Sequence, residues 1–202
     1  MKIPLLDFRK KAICSTSILC LMIVFSFTAN SSKAIAQTSY KNSEGSQVKV
    51  FGTSNLHDWT MTAKAFTCEG TFIVKGDQLV DVTALTLTIP VKNLKSNESL
   101  MDSRAYKTLK ADQYSTIGFK LTNATVNAQQ KTIKATGNLT ISGFSNLITL
   151  QISYVVNGDE ILCKGSQSLK MTEYKIKPPS FMLGALKTGD DLKIDVNLKM
   201  KK

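Results

Sequence analysis

Residues 132–156 read TIKATGNLTISGFSNLITLQISYVV. From 133 to 141 small or apolar side chains fall on every second residue, and after the Ser142-Gly143 break the alternation resumes on even numbers from 144 to 156. A period of two predicts a β-strand with one buried and one solvated face, so the two runs are expected to form an antiparallel hairpin. Because two strands cannot close a core alone, further strands must cover the same apolar face.

Similar alternating runs follow one another along most of the chain. They occur at residues 47–52, 59–65, 69–75, 78–91, 117–121, 161–171 and 192–200. In the run 78–91 the phase changes near Thr83 and Ala84, which predicts a β-bulge. Only the segment 99–109 has apolar residues three to five positions apart, and we expect it to form the one helix of the domain, with Ser99 as its N-cap. The segments 37–45 and 172–191 are expected to be irregular.

This order of elements predicts an all-β fold. Short turns join about eight strands, and no strand–helix–strand rhythm indicates a parallel sheet. An antiparallel eight-stranded barrel removes the exposed strand edges, with the short helix packed near the barrel mouth. The inward positions carry almost no charge, and small residues such as Ala135 and Gly137 leave room among them. Such a barrel is either filled by its own side chains or holds one small ligand, which here would be apolar and elongated.

The first 36 residues have the pattern of a cleaved signal peptide. Lys2 and the basic run 9–11 precede an apolar run from 12 to 29, and Ala34-Ile35-Ala36 supplies the small residues of a cleavage site. A membrane anchor is the alternative, but the apolar run contains five Ser and Thr residues and is short for a span. We therefore expect cleavage after Ala36, a mature domain of residues 37–202, and export to the periplasm or the cell exterior.

Composition and charge narrow the function classes. With 43% apolar and 20% charged residues, the 202-residue chain is expected to form one globular domain. Its net charge of +11 falls to +7 without residues 1–36, which hold five basic residues and one acidic residue. Every remaining basic residue except Arg104 is a lysine, and no nucleic-acid motif groups them, so no nucleic-acid partner is expected. A solvated lysine coat is the better interpretation, with weak attraction to anionic membrane surfaces.

His57 and the two cysteines of the mature domain are the reactive side chains to consider. His57-Asp58 invites a catalytic interpretation, but adjacent residues of an extended segment point to opposite faces, and the sequence has no nucleophile motif. We therefore expect a structural corner, with Trp59 filling the barrel, and no enzyme activity. Cys68 and Cys163 permit either one disulfide or two separate thiols. They lack the paired spacing of a zinc site, so no metal or cofactor is expected.

Four stretches stand out by their joint order and spacing. They are GTSNLHDW at 52–59, SLMDSRAYKTLKADQYSTIGFKL at 99–121, ATGNLTISG at 135–143 and SLKMTEYKIKPPSFMLGALKTGDDLKI at 168–194. Together they resemble the YceI-like family, in particular a subgroup with a His-Asp-Trp corner and a Pro-Pro loop. Many other members have an Arg-Asp pair before the helix and an Arg-x-Asp-Phe-Gly pattern before the last strand. The resemblance implies an exported, lipocalin-like barrel around a long tunnel for a polyisoprenoid or another amphiphile, without established catalytic machinery.

Two hypotheses of function follow. In the first, the chain is an exported, non-enzymatic protein that sequesters or carries a long apolar lipid. In the alternative, a barrel with a filled core binds an acidic partner or a membrane surface through its lysines; a homodimer is left open. Arg104 and Tyr106 are candidates for head-group contacts, and the cluster 181–183 is a candidate plug or gate. The expected ligand contacts are Leu87, Ile89, Phe119, Leu121, Gly137, Leu139, Ile141, Ile152, Tyr154, Leu169, Met171, Phe181 and Met182.

Overall fold

The computed structural model describes residues 37–202, and the predicted signal peptide lies outside them. Within this range one α-helix, α1 (Ser99–Thr108), accompanies twelve strands. The strands are β1 (Gln37–Asn42), β2 (Gln47–Ser54), β3 (Trp59–Ala63), β4 (Thr67–Lys75), β5 (Gln78–Pro90), β6 (Leu94–Lys95), β7 (Thr116–Asn127), β8 (Thr132–Ile141), β9 (Phe144–Asn157), β10 (Glu160–Lys170), β11 (Ser180–Phe181) and β12 (Leu186–Lys201). No helix between residues 37 and 202 has the length and apolar character needed to cross a membrane.

Eight strand positions close into an antiparallel barrel. The ring runs β1-β4-β5-β7-β8-β9-β10-β12 and closes where Lys41 and Asn42 of β1 pair with Lys201 and Met200 of β12. Since β10 pairs along one edge of β12 and both β1 and β2 pair along the other, β1 and β2 form one interrupted strand of the wall. In the same way, β3 and β4 form a second interrupted strand of the wall, and β5 and β6 form a third. The predicted eight-stranded, lipocalin-like barrel is confirmed.

The hairpin predicted from residues 132–156 is present as β8 and β9. Their antiparallel pairing ends with Ile141 opposite Phe144. Ser142 and Gly143 form a two-residue turn with φ angles of 48° and 80°, the left-handed conformations that the favoured short hairpin turn requires. The break in alternation at these two residues is therefore the turn itself.

A β-bulge interrupts β5, as the change of phase near Thr83 predicts. Thr71 pairs with Ala84 and Phe72 with Val82, so Thr83 has no register partner in β4. The extra residue brings Val82 and Leu85, on either side of it, to the same interior wall, whereas Val80 is exposed.

Two predictions for the connecting segments are wrong. The segment 37–45 contains β1, which pairs residue by residue with β4, and this backbone pairing needs no apolar alternation. Its large side chain, Tyr40, is fully buried and packs edge-to-face on Phe72, with ring centroids 5.2 Å apart. The last strand begins at Leu186, earlier than expected, because β2 already pairs with it at Thr188.

The helix α1 lies across one end of the barrel. It begins at Ser99 without a side-chain cap bond, so the prediction that Ser99 caps it is wrong. Instead, the buried carboxylate of Asp102 accepts two hydrogen bonds from Ser96, one from the backbone N–H at 2.7 Å and one from the side-chain hydroxyl at 2.8 Å. After the helix, the Leu109 carbonyl accepts a hydrogen bond from the Ser142 hydroxyl at 2.9 Å. These bonds hold the helix at the barrel end that carries the β8–β9 turn.

The opposite end of the barrel is filled by its own side chains. Tyr40, Leu79, Ile161 and Met200 are fully buried there, together with Phe72. Burial of a side chain of this size contributes about 1.5–3 kcal/mol relative to exposure, so this cluster is a major source of stability. The barrel is therefore closed at the β1 end, which leaves the α1 end for entry into the interior.

Candidate ligand cavity

A cavity of about 410 Å³ runs from the α1 end along most of the barrel, as far as Phe72, Ile133 and Met200, which border the filled end. Its wall consists mainly of inward-facing Val, Leu, Ile, Met, Phe and Ala side chains of the strands, joined by apolar side chains from α1 and from the β10–β12 connection. The volume lies within the range of roughly 300–1,000 Å³ that is typical of ligand sites. The interior is thus filled at one end and hollow at the other, which contradicts the filled core of the alternative hypothesis.

Most of the predicted contact residues line this cavity. They lie on β5, β7, β8, β9, β10, β11 and the turn after β10, so the predicted inward phase places them on one continuous surface. The ten residues are Leu87, Ile89, Phe119, Leu121, Leu139, Ile141, Ile152, Leu169, Met171 and Phe181.

Three predicted contact residues lie outside the cavity wall. A Cβ atom on Gly137 would lie 2.5 Å from both the Phe119 ring and the Lys120 carbonyl oxygen, so Gly137 makes room for Phe119 and not for a ligand. Tyr154 belongs to the filled end, where burial raises the pKa of its hydroxyl. Met182 is exposed to solvent. Strand phase predicts the direction of a side chain but not its depth along the barrel.

The two predicted head-group residues on α1 have different surroundings. Arg104 is part of the cavity lining, with its guanidinium carbon 4.2 Å from the centroid of the Phe181 ring. In the described part of the chain it forms no ion pair. Tyr106 is outside the lining: its hydroxyl donates to the Leu94 carbonyl at 2.8 Å, and the Lys95 ammonium lies 5.2 Å from its ring centroid. Tyr106 therefore anchors α1 to the wall, whereas Arg104 faces the opening.

The predicted ligand contacts omit α1 and the β2–β3 corner, although the sequence places the helix near the barrel mouth and Trp59 inside the barrel. Met101, Ala105 and Leu109 line the cavity at the helical spacing of four residues, so the helix forms part of the wall as well as a lid. Trp59 of the corner also lines it, while its indole N–H donates to the Thr53 carbonyl at 3.1 Å. The regular spacing of the helix residues is the signal that identifies them.

His57 lies at the cavity opening in an exposed corner. The Ser54 hydroxyl donates to the His57 carbonyl at 2.7 Å and accepts the His57 backbone N–H at 3.1 Å. The imidazole Nδ1 lies 2.8 Å from the backbone carbonyl oxygen of Asp58, so the ring is positioned by backbone and not by the neighbouring carboxylate. These contacts are those of a hydrogen-bonded turn.

Cys68 and Cys163 are buried free thiols, so the permitted disulfide is not formed in the structure. Burial raises the pKa of each thiol to about 12, and the proximity of Cys163 contributes to the rise at Cys68. Both thiols are therefore protonated at neutral pH and behave as small apolar side chains. Between residues 37 and 202, no three His, Cys, Asp or Glu side chains come together to hold a metal ion.

The hydroxyl, amide and charged side chains of the lining lie at the α1 end. They are Ser54, His57, Glu98, Arg104, Thr108, Gln167, Tyr174 and Thr188. Deeper in the barrel the wall offers hydrocarbon and the Cys163 thiol. This arrangement fits an amphiphile with its apolar chain inside and its polar end at the opening.

Comparison with known proteins assigns the fold to a family. A family model described as a YceI-like domain matches residues 36–200. The chain belongs to the YceI-like family. No curated protein sequence matches it.

Solved structures share this YceI-like fold. BcnA of Burkholderia cenocepacia is similar at 18% identity, with 76% of this chain and 95% of that chain covered and a TM-score of 0.64. A polyisoprenoid binding domain from Saccharophagus degradans is similar at 12% identity, with coverage of 82% and 99% and a TM-score of 0.61. The YceI protein of Campylobacter jejuni is similar at 16% identity, with coverage of 67% and 81% and a TM-score of 0.55. At these identities the likeness establishes the fold alone.

Proposed function

We propose that this YceI-like chain is an exported, non-enzymatic protein that sequesters or carries a long apolar lipid, a polyisoprenoid or a similar amphiphile, inside its barrel. The observation that carries the proposal is the apolar cavity of about 410 Å³, with its polar groups gathered at the α1 end. Because the β1 end is filled by side chains, a lipid enters and leaves beside α1.

The cavity wall favours hydrocarbon over a polar ligand. A polar group buried without a hydrogen-bond partner costs roughly 1–3 kcal/mol, and the deep wall has no hydroxyl, amide or charged side chain to offset that cost. Each buried methylene instead contributes about 0.8 kcal/mol. Ten such groups contribute roughly 8 kcal/mol, which leaves a margin after the loss of ligand freedom on binding.

Arg104 is placed to meet the polar end of the lipid. Its guanidinium lies at the opening, stacks on Phe181 and has no ion-pair partner between residues 37 and 202. A guanidinium matches the paired oxygens of a phosphate or carboxylate better than any other side chain. We therefore propose an acidic head group. Tyr106 is excluded from this role because its hydroxyl is already bonded to the barrel wall.

The isoprenoid class of ligand is supported by fold likeness. The domain from Saccharophagus degradans, which shares the fold, is described as polyisoprenoid binding. A branched isoprenoid chain and a straight acyl chain present the same apolar chemistry to the wall. Uptake of each therefore has to be measured separately.

Export is proposed from the pattern of residues 1–36. Cell fractionation and N-terminal sequencing test it directly. We expect a mature chain that begins at Gln37 in the periplasm or the medium. A cytoplasmic chain that retains residues 1–36 contradicts this part of the proposal.

Native mass spectrometry of protein purified from a native-like host tests lipid binding. We expect the protein to carry the additional mass of a bound lipid. This mass should disappear on extraction with organic solvent and return when the delipidated protein is incubated with a prenyl or acyl lipid. The same spectra distinguish a monomer from a homodimer. An empty barrel that takes up neither lipid contradicts the proposal, and hydrolysis of the lipid that stops in folded His57→Ala contradicts its non-enzymatic part.

A further inference from the structure

Exposed apolar side chains collect around the opening of the cavity. Leu56 is 71% exposed, Leu100 60% and Met182 77%, and Leu183 is fully exposed. These four residues, the apolar rim, lie on the three segments that frame the opening: the β2–β3 corner, the start of α1 and the β10–β12 connection. A single exposed leucine needs no explanation, but an apolar group on neighbouring segments marks an interaction surface.

Direct contacts join the three segments of the apolar rim. Asn55 of the corner donates its side-chain N–H to the Ala185 carbonyl of the β10–β12 connection at 2.7 Å. On the other side of that connection, Phe181 packs under the Arg104 guanidinium of α1. Leu100 lies one helical turn before Arg104 and therefore on the same face of the helix. The rim is thus one surface and not four unrelated positions.

The backbone presents the tip of the rim to solvent. Met182 and Leu183 have φ angles of 53° and 54°, a left-handed conformation that non-glycine residues rarely adopt. The Thr188 N–H donates to the Pro179 carbonyl at 3.0 Å and closes the base of this loop. Strained backbone that exposes two large apolar side chains does not stabilise the barrel, so it indicates a role outside it.

The segment 175–189, which spans the tip of this connection and the start of β12, is positively charged. It carries Lys175, Lys177 and Lys187 and no acidic residue, while Glu173 and Asp190 border it. None of the three forms an ion pair with another residue of the described range. Unpaired lysines attract anionic lipid head groups, and apolar side chains beside them can enter the interface between head groups and acyl chains.

We propose that the apolar rim docks the cavity opening onto an anionic membrane surface, where a lipid passes between bilayer and barrel without crossing water. This proposal rests on the proposed lipid-binding function. Met182 and Leu183 enter the interface, and the lysines of the segment 175–189 supply the attraction to anionic head groups. Docking therefore depends on both apolar area and salt concentration.

Vesicle flotation tests docking separately from lipid binding. The purified protein is mixed with vesicles of phosphatidylcholine alone or with added phosphatidylglycerol, and binding is expected with the anionic vesicles and weaker at high salt. The double change Met182→Ser with Leu183→Ser should reduce that binding at least about fivefold, because most of the inserted apolar area is lost. The control Val155→Ser removes an exposed apolar side chain from the outer face of β9 at the other end of the barrel, and should bind like the parent.

Lipid uptake from detergent micelles, followed by native mass spectrometry, is measured on the same three proteins and should be equal. The docking proposal is overturned if the parent protein does not bind anionic vesicles, or if the double variant binds them as well as the parent does, even when lipid uptake from micelles is normal. A rim that binds a soluble protein but no vesicle also overturns it. Normal flotation without micellar uptake refutes the lipid-carrying function instead.

Discussion

Ala135→Phe and Gly137→Phe, two changes on the same face of β8, are expected to have opposite effects on stability. Ala135 is half-buried and lines the cavity, so a phenyl ring there enters the hollow. Burial of a Phe side chain contributes about 1.5–3 kcal/mol, part of which is offset by ordering of the ring, so the delipidated protein should gain roughly 1–2 kcal/mol. For a domain of this size the melting temperature should rise by roughly 2–8 °C. Lipid uptake should fall, because the ring takes the space of the lipid.

At Gly137 the first added carbon already lies 2.5 Å from the Phe119 ring and the Lys120 carbonyl oxygen. Overpacking of this kind typically costs about 1–3 kcal/mol, so the melting temperature should fall by roughly 2–12 °C. The control Lys134→Phe, at the exposed position before Ala135, should change stability by no more than about 0.5 kcal/mol. Calorimetry of the delipidated proteins and native mass spectrometry of uptake measure both effects. Ala135→Phe protein that melts as low as Gly137→Phe protein, or that keeps full uptake, refutes the reasoning.

Three further predictions concern the opening, the thiols and the helix. In displacement titrations, Arg104→Gln should weaken binding of a prenyl phosphate about tenfold and barely change binding of a prenyl alcohol. An equal loss of affinity for both lipids would argue against a head-group contact. Thiol titration of the denatured, non-reduced mature chain should find two free thiols, and absence of free thiol would show a bridge. The native protein should react slowly at pH 8, because a pKa of about 12 keeps Cys68 and Cys163 protonated. Asp102→Ala should lower the melting temperature by roughly 2–12 °C, since the Ser96 N–H loses its acceptor at a cost of about 1–3 kcal/mol, and an unchanged melting temperature would show that this bond does not hold the helix.

The strands of the barrel wall were predictable because burial alternates along them. On β5, β7, β8, β9 and β10 one face meets the interior and the other meets water, and the sequence records that difference with a period of two. The sequence of β1 shows no such alternation, because this strand is held by backbone pairing with β4 and buries one large side chain, Tyr40, completely. Pairing with a neighbour leaves no trace in the composition of a short polar segment.

The candidate site is predictable in direction but not in depth. Ile152 and Tyr154 share one phase of β9, yet Ile152 lines the cavity while Tyr154 belongs to the filled end. Gly137 shares a phase with Leu139, but the ring of Phe119 on the neighbouring strand covers it. Depth and coverage depend on the register between strands and on how the barrel closes, and the period of one strand encodes neither.

Photo-crosslinking tests the central claim, that an apolar lipid occupies the barrel cavity, most directly. The probe is a prenyl lipid with a diazirine on its apolar chain, and labelled positions are mapped by digestion and tandem mass spectrometry. We predict labels on neighbouring strands of the cavity wall, at residues such as Leu121, Ala135 and Leu150, and their loss in Ala135→Phe. Labels confined to the outer face of the barrel, at residues such as Leu147 and Val155, would contradict the account.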